Sequence, residues 1–348
     1  MKRYEQNPII QPSDVKPSRE DFEVIGVFNA GVAKYNDKII LLLRVAEKPI
    51  DRKDGICRSV YYDVNAGEIK LLEFDQADKE IDLSDSRWIK TPSKNYITSI
   101  SHFRLASSED GLHFDIDEKP SMSASNLYEI YGIEDPRITL IDKEYYISYS
   151  AISDVGITEC LAVTKDFNNF ERLGVIFHPD NKDVEIFPEK IGGYYYALNR
   201  PSTSLFGKPD IWIAKSPDLM CWGDYRYLMG AREGSWDNGR IGGSAIPIRT
   251  EQGWLEIYHG ATKEDVYCLG AVLLKIDEPY KVIARSTKPI LKPEADYEKE
   301  GFFGGVVFSC GVILEDKLVR IYYGAADTCM CYAEASLEEI MDTLEDVD

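Results

Sequence analysis

Five short polar turns punctuate the chain: Asn36-Asp37, Asp142-Lys143, Gly192-Gly193, Gln252-Gly253 and Glu315-Asp316. About seven or eight residues out on either side stand side chains that are costly to keep at the ends of apolar strands. Counting outward pairs Asn29 with Arg44, Asp135 with Ser150, Glu185 with Arg200, and Ser244 with His259. In the fifth repeat the count reaches Phe308 and Tyr323, with Gly304, Gly305 and Asp327 just beyond. Residues equally far from an antiparallel turn lie at one end of the hairpin. The pattern therefore predicts one rim that collects an amide, carboxyls, two guanidinium groups and an imidazole. A carboxyl placed there could deliver a proton, and guanidinium forks could hold an oxyanion two oxygens at a time. Salt bridges between neighbouring elements are the alternative use of the same residues.

The elements that must position this rim are strands. The segments after the turns read IILLLRVAE, EYYISYSA, YYYALNRP, WLEIYHGA and LVRIYYGAAD, rich in the branched and aromatic residues that favour a pleated, half-buried surface. Outer-strand material recurs as RLASSEDGLHF, AVTKDFNNFERL and AKSPDLMCW. The turns are separated by 106, 50, 60 and 63 residues, and units of this size with several strands each imply blades. The expected fold is an all-β, five-bladed β-propeller: a single domain over 1–348 with short N-terminal and C-terminal extensions. The longer first gap holds the Asp51–Asp54 loop and a polar stretch around Ser121–Asn126. Helical spacing is confined to SLEEIMDTLEDVD.

Bulk properties exclude several classes. Sixty acidic against 40 basic residues give a net charge of −20, a surface that repels nucleic acid and anionic membranes. It repels phosphate too, so a phosphate site must be built from locally clustered cations. No apolar run reads as a signal peptide or a membrane span, and the expectation is a cytoplasmic protein. Seven cysteines without metal or disulfide spacing, and His102, His113 and His178 without a shared pattern, predict no metal and no disulfide framework. Gly242-Gly243 and Gly304-Gly305 lack the lysine and helix of a phosphate loop and read as sites of close packing.

The segments FNAGVAKYNDKIILLLRVAE, GIEDPRITLIDKEYYISYSA, FPEKIGGYYYALNRPS, GGSAIPIRTEQGWLEIYHGA and GGVVFSCGVILEDKLVRIYYGAAD resemble glycoside hydrolase family 130. That family comprises β-mannoside phosphorylases and a smaller set of β-1,2-mannosidases on a five-bladed propeller. The opening RYEQNPIIQPSDVKPSREDFEVIGVFNAGVA is most similar to its members that act on β-1,2-mannobiose and β-1,2-oligomannan.

The resemblance implies that Asp135, in Gly-Ile-Glu-Asp-Pro-Arg, is the proton donor, acting through the 3-hydroxyl of the mannosyl unit. A carboxyl in a partly closed pocket can stay protonated near neutral pH; pairing with Arg137 is its structural alternative. A phosphorylase needs no second carboxylate to activate water, since phosphate is already an anionic nucleophile. The resemblance assigns phosphate binding to Arg44, Arg58, Lys182, Arg200 and His259, with Tyr267 as a further candidate, and sugar binding to Asn29 and Asp327. Ala30 replaces a Ser, and Asn199 a His, found in other members. Glu189 and Arg137 read as structural, while Trp236 and Tyr131 could stack on a sugar or fill the core. The implied substrates are a β-mannoside and inorganic phosphate, with no cofactor. The alternatives are a β-1,2-mannosidase, a phosphorylase for β-1,4-mannosides, or a sugar-binding propeller without catalysis. Linkage is expected to depend on loops such as Asp51–Asp54 and Tyr227–Asn238, and a homo-oligomer is compatible with the chain.

Overall fold

The computed structural model describes residues 1–50, 53–202 and 205–347; Asp51, which opens the Asp51–Asp54 loop, lies outside them. Turn chemistry sets the hairpins. Asn36 and Asp37 (φ 48° and 61°), Asp142 and Lys143 (49° and 70°), and Gly192 and Gly193 (59° and 89°) all hold positive φ. That backbone twist matches the twist of the flanking strands. The fifth turn is centred on Asp316 and Lys317, one residue later than expected, because Glu315 still pairs with Leu318.

Five antiparallel groups of strands follow in chain order, the first and fifth joined by a parallel bridge into one eight-stranded sheet. Two separate two-stranded hairpins, Ile56–Asp63 with Glu68–Asp75 and Trp88–Lys90 with Asn95–Ile97, lie in the long first gap. The first group is built from Phe22–Tyr35, Lys38–Pro49, Ile100–Ser108 and Asp115–Ile116. The second takes Ile133–Ile141, Glu144–Ser153, Gly156–Thr164 and Glu171–Phe177. The third takes Asn181–Ile186, Tyr195–Pro201, Ile211–Ser216 and Gly223–Met229. The fourth takes Arg240–Gly243, Trp254–Ala261, Tyr267–Leu274 and Val282–Ser286, and the fifth Val307–Glu315, Leu318–Ala325 and Cys329–Ser336. Distant segments extend two outer edges: Lys2–Arg3 pairs with Cys329–Ser336, and Leu344–Asp346 pairs with Val282–Ser286. Arg3 also donates from Nε to the buried Glu298 (2.8 Å).

Both faces of most sheets are buried, which is why the strands read as continuous apolar runs rather than alternating ones. Leu42 packs with Phe103, Ile147 and Tyr149, between the first and second sheets. Its neighbours Leu41 and Leu43 point the other way, to Tyr322 and Met330 of the fifth. Leu161 with Ile186, Ile213 with Tyr258, and Leu255 with Ile321 fill the second–third, third–fourth and fourth–fifth boundaries. The first strands meet as well, with Gly31 paired in parallel to Cys310 of the fifth sheet.

The first strands of the first, second, third and fifth sheets shift register, while Arg240–Gly243 of the fourth pairs without a shift. Arg44 faces Phe28, Ser150 faces Glu134, Arg200 faces Lys182, His259 faces Gly242, and Tyr323 faces Ser309. The counted pairs Asn29–Arg44, Asp135–Ser150, Glu185–Arg200, Ser244–His259 and Phe308–Tyr323 are therefore corrected by one to three residues. The physical reason in the first three sheets is a bulge, in which residues 29–30, 135–136 and 183–184 each oppose a single partner residue. The helical expectation for SLEEIMDTLEDVD holds only for Leu337–Met341, capped by Ser336; Leu344–Asp346 is a strand. A one-turn helix at Asp296–Lys299 was not foreseen.

Candidate active site

A cavity of about 330 Å³ opens where the first strands carry their bulges, and side chains from all five sheets line it. Asn29, Arg44, Asp135, Lys182, Arg200, His259, Tyr267 and Asp327 all lie on its wall. Arg58 does not. It belongs to a side hairpin, Ile56–Asp63 with Glu68–Asp75, and spends its guanidinium on Glu73 (2.8 Å) and the Ile50 carbonyl (3.2 Å). Glu185, counted to the rim, is wholly buried below it, beside Glu256. Burial and the Glu256 charge push the Glu185 carboxyl well above its usual range.

The bulges aim the functional groups. Asn29 (φ 49°), Asp135 (50°) and Asp183 (57°) sit at the same bulge position in three successive sheets, each in the left-handed region. Non-glycine residues adopt it at a cost, and such outliers concentrate at functional sites. Asn29 donates from Nδ2 to Asp135 Oδ1 (2.9 Å), which also receives Arg44 Nη1 (2.9 Å). Arg44 Nη2 reaches Glu134 (2.8 Å), and Glu134 faces Lys182 Nζ at 3.5 Å. Burial alone would raise the Asp135 pKa, but Arg44, Lys182, Arg137 and the Asn29 amide outweigh it and hold the carboxyl below its usual value. The charges around Asp135 thus favour its ionised form, against the effect of burial. Asp327 shifts the other way, raised to about 6 by burial and by the charges of Asp135 and Glu134.

A second cluster surrounds Asp183. Its Oδ1 accepts from Arg137 Nη2 (3.0 Å), and its Oδ2 lies 2.9 Å from Arg200 Nε and 3.7 Å from His259 Nε2. Arg137 also donates to the carbonyls of Asp135, Gly243 and Ser244, tying the second sheet to the fourth. His259 Nδ1 lies 3.1 Å from the Gly243 carbonyl. Burial, with the charges of Arg200 and Arg137, pushes the His259 pKa down to about 3. Glycine is required beneath: a Cβ on Gly242 would come within 2.4 Å of Asp183, and one on Gly243 within 2.0 Å of Glu185.

Sequence reasoning passed over Asp183 as well as Arg87, Arg240, Asp265 and Phe303, all on the cavity wall. Asp183 could have been found by its place in the repeat, level with Asn29 and Asp135. Arg87 comes from the long first gap and lies over the Phe303 ring (4.6 Å to its centre). Of the sugar-stacking candidates, Trp236 stacks on Tyr258, and Tyr131 donates to Asp154 (2.8 Å). Neither lines the cavity, and no described residue of Tyr227–Asn238 does. Glu189 pairs with Arg249 at the surface, and Asn199 accepts from Asn181. No helix among the described residues is long and apolar enough to cross a membrane.

Set against known proteins, residues 92–346 match the family model described as beta-1,4-mannooligosaccharide phosphorylase. The chain is 51% identical over 347 residues to the beta-1,2-mannobiose phosphorylase of Listeria innocua, covering 99% of this chain and 98% of that one. It is 42% identical over 252 residues to a 1,2-beta-oligomannan phosphorylase of Thermoanaerobacter sp. strain X514, covering 72% and 83%. The crystal structure of the Listeria innocua enzyme with beta-1,2-mannobiose superposes with a TM-score of 0.96 at 50% identity, over 98% of each chain. The chain belongs to glycoside hydrolase family 130.

Proposed function

We propose that this chain is an inverting phosphorylase that cleaves β-1,2-mannobiose and its short oligomers with inorganic phosphate, releasing α-mannose 1-phosphate. The observation that carries the reading is the convergence of Arg44, Lys182, Arg200 and His259 on the cavity that holds Asp135. Had Arg44, Lys182 and Arg200 faced away from Asp135, water would be the better nucleophile. At a net charge of −20, such a cluster has its chemical rationale in holding an anion. The 51% identity to a β-1,2-mannobiose phosphorylase over nearly the whole chain supports the β-1,2 linkage.

In this reading a phosphate oxygen attacks the anomeric carbon as the bond to the leaving sugar breaks on the opposite face. Asp135 supplies the proton that the departing oxygen takes up, relayed by the mannosyl 3-hydroxyl. Phosphate, arriving among the cations that hold Asp135 ionised, offsets their charge and raises the carboxyl's proton affinity. Asn29 and Asp327 bind the sugar. The reaction asks for no cofactor, because phosphate is itself a substrate. The five sheets, meeting through their first strands and the apolar layers between them, form a five-bladed propeller with the site at the mouth of its axis. The cytoplasm supplies the phosphate. A product assay on β-1,2-mannobiose decides: α-mannose 1-phosphate should form only when phosphate is present. Release of free mannose at an equal rate without phosphate would overturn the reading in favour of a mannosidase.

A further inference from the structure

We propose that Asp183 and His259 make the anion subsite selective for an oxyanion that carries a proton, phosphate or arsenate, and against sulfate. The inference rests on the phosphorylase reading and deepens it. His259 Nδ1 faces the Gly243 carbonyl at 3.1 Å. A carbonyl can only accept, so the proton of the neutral ring sits on Nδ1 and Nε2 presents a lone pair. Nε2 is buried and has no hydrogen-bond partner; neither has Asp183 Oδ2, 3.7 Å away. Arg200 Nε approaches that oxygen at 2.9 Å, but as an ion pair without the alignment of a hydrogen bond. The depressed pKa of His259, caused by burial and the charges of Arg200 and Arg137, agrees with a neutral ring.

Two buried acceptors thus lie 3.7 Å apart in residues that line the cavity, with no aligned donor on either, while Arg200 and Lys182 line the same wall. The cations suit unprotonated oxygens, and the acceptor pair suits an O–H. Hydrogen phosphate offers both. Sulfate near neutral pH has no proton and would set its lone pairs against Nε2 and Oδ2. A buried acceptor left unpaired is expensive, and a site built around a hydrogen bond strongly rejects the analogue that lacks it.

Calorimetric titration of phosphate, arsenate and sulfate into the full chain tests this without requiring turnover. Phosphate and arsenate should bind within about tenfold of each other, and sulfate on the order of a hundredfold more weakly. Asp183→Asn, whose amide can donate, should narrow the phosphate-to-sulfate ratio by about tenfold or more. A purely structural Asp183 would weaken both anions alike and leave the ratio unchanged, which overturns the proposal. So does equal binding of phosphate and sulfate by the unmodified protein, an arm that stands if Asp183→Asn fails to fold. Discrimination in binding without phosphate-dependent turnover would keep the proposal and sink the phosphorylase reading.

Discussion

Two buried aspartates, each ringed by arginines, are treated differently by the fold. Asp237 receives the Arg232 guanidinium on both oxygens (3.1 and 2.8 Å), Arg285 Nη2 (2.7 Å) and the Tyr258 hydroxyl (3.0 Å). Arg285 spends further donors on Tyr258 and the Gly230 carbonyl. Asp183 gathers Arg137, Arg200 and His259, yet its Oδ2, Arg200 Nε and His259 Nε2 are buried without an aligned hydrogen bond. Native interiors rarely leave such groups unpaired. The saturated network is a strut, and the unsaturated one keeps binding capacity in hand. Both aspartates are drawn below the usual carboxylate range by their arginines, against the opposing effect of burial, so depressed acidity alone does not distinguish a site from a strut.

The contrast can be broken in order of expected effect. Asp135→Asn, beside the unsaturated cluster in the cavity, keeps shape and hydrogen bonding but cannot deliver a proton. Its kcat on β-1,2-mannobiose should fall on the order of a hundredfold to ten-thousandfold, about 3–5 kcal/mol of barrier, with binding retained. Near wild-type kcat would place the acid elsewhere, with Asp327 the first to test. Asp237→Ala, on the saturated side, strands Arg285 and Arg232 and should cost about 3–5 kcal/mol of stability in a denaturant titration, while the KM for phosphate of the folded protein stays put. A selective rise in that KM would make Asp237 part of the site. The smallest effects come from paired arginines. Arg200→Ala should raise the KM for phosphate about tenfold or more and leave that for the disaccharide nearly unchanged. Arg58→Ala, which removes a pair with Glu73 and a hydrogen bond to the Ile50 carbonyl away from the cavity, should alter neither beyond about twofold. Similar losses from the two would erase the distinction between them.

What was legible in the sequence followed from local chemistry. Four of the five turns announced themselves through Asn-Asp, Asp-Lys and Gly pairs, and the apolar runs between them gave sheets buried on both faces. The site was legible as a neighbourhood, since Asp135, Arg200 and His259 do share one cavity. The detail lay in the bulges, which regular counting cannot register: one extra residue swings Asn29, Asp135 and Asp183 into the cavity and sends Glu185 beneath it. Arg58 was misplaced for a different reason. GICRSVYYD has strand character, but its partner is its own hairpin mate, and nothing local says which sheet an extra hairpin will leave. Arg87 lies over Phe303, more than two hundred residues away in the chain, a contact that only the assembled fold can reveal.

The short strand Lys2–Arg3 ties the first residues of the chain to the cavity wall. Arg3 is held by Glu298, which also accepts from Tyr323 and from the backbone N–H groups of Glu294 and Ala295. The Glu298 carbonyl in turn anchors Gly305 and Val306 (3.0 Å each), just beyond Phe302 and Phe303 on that wall. For anyone handling this protein, the two termini are therefore not equivalent places for an affinity tag. A fusion at the N-terminal end pulls on a strand whose Arg3 is bonded directly to Glu298, whereas Leu344–Asp346 pairs with Val282–Ser286 at the outer edge of the fourth sheet.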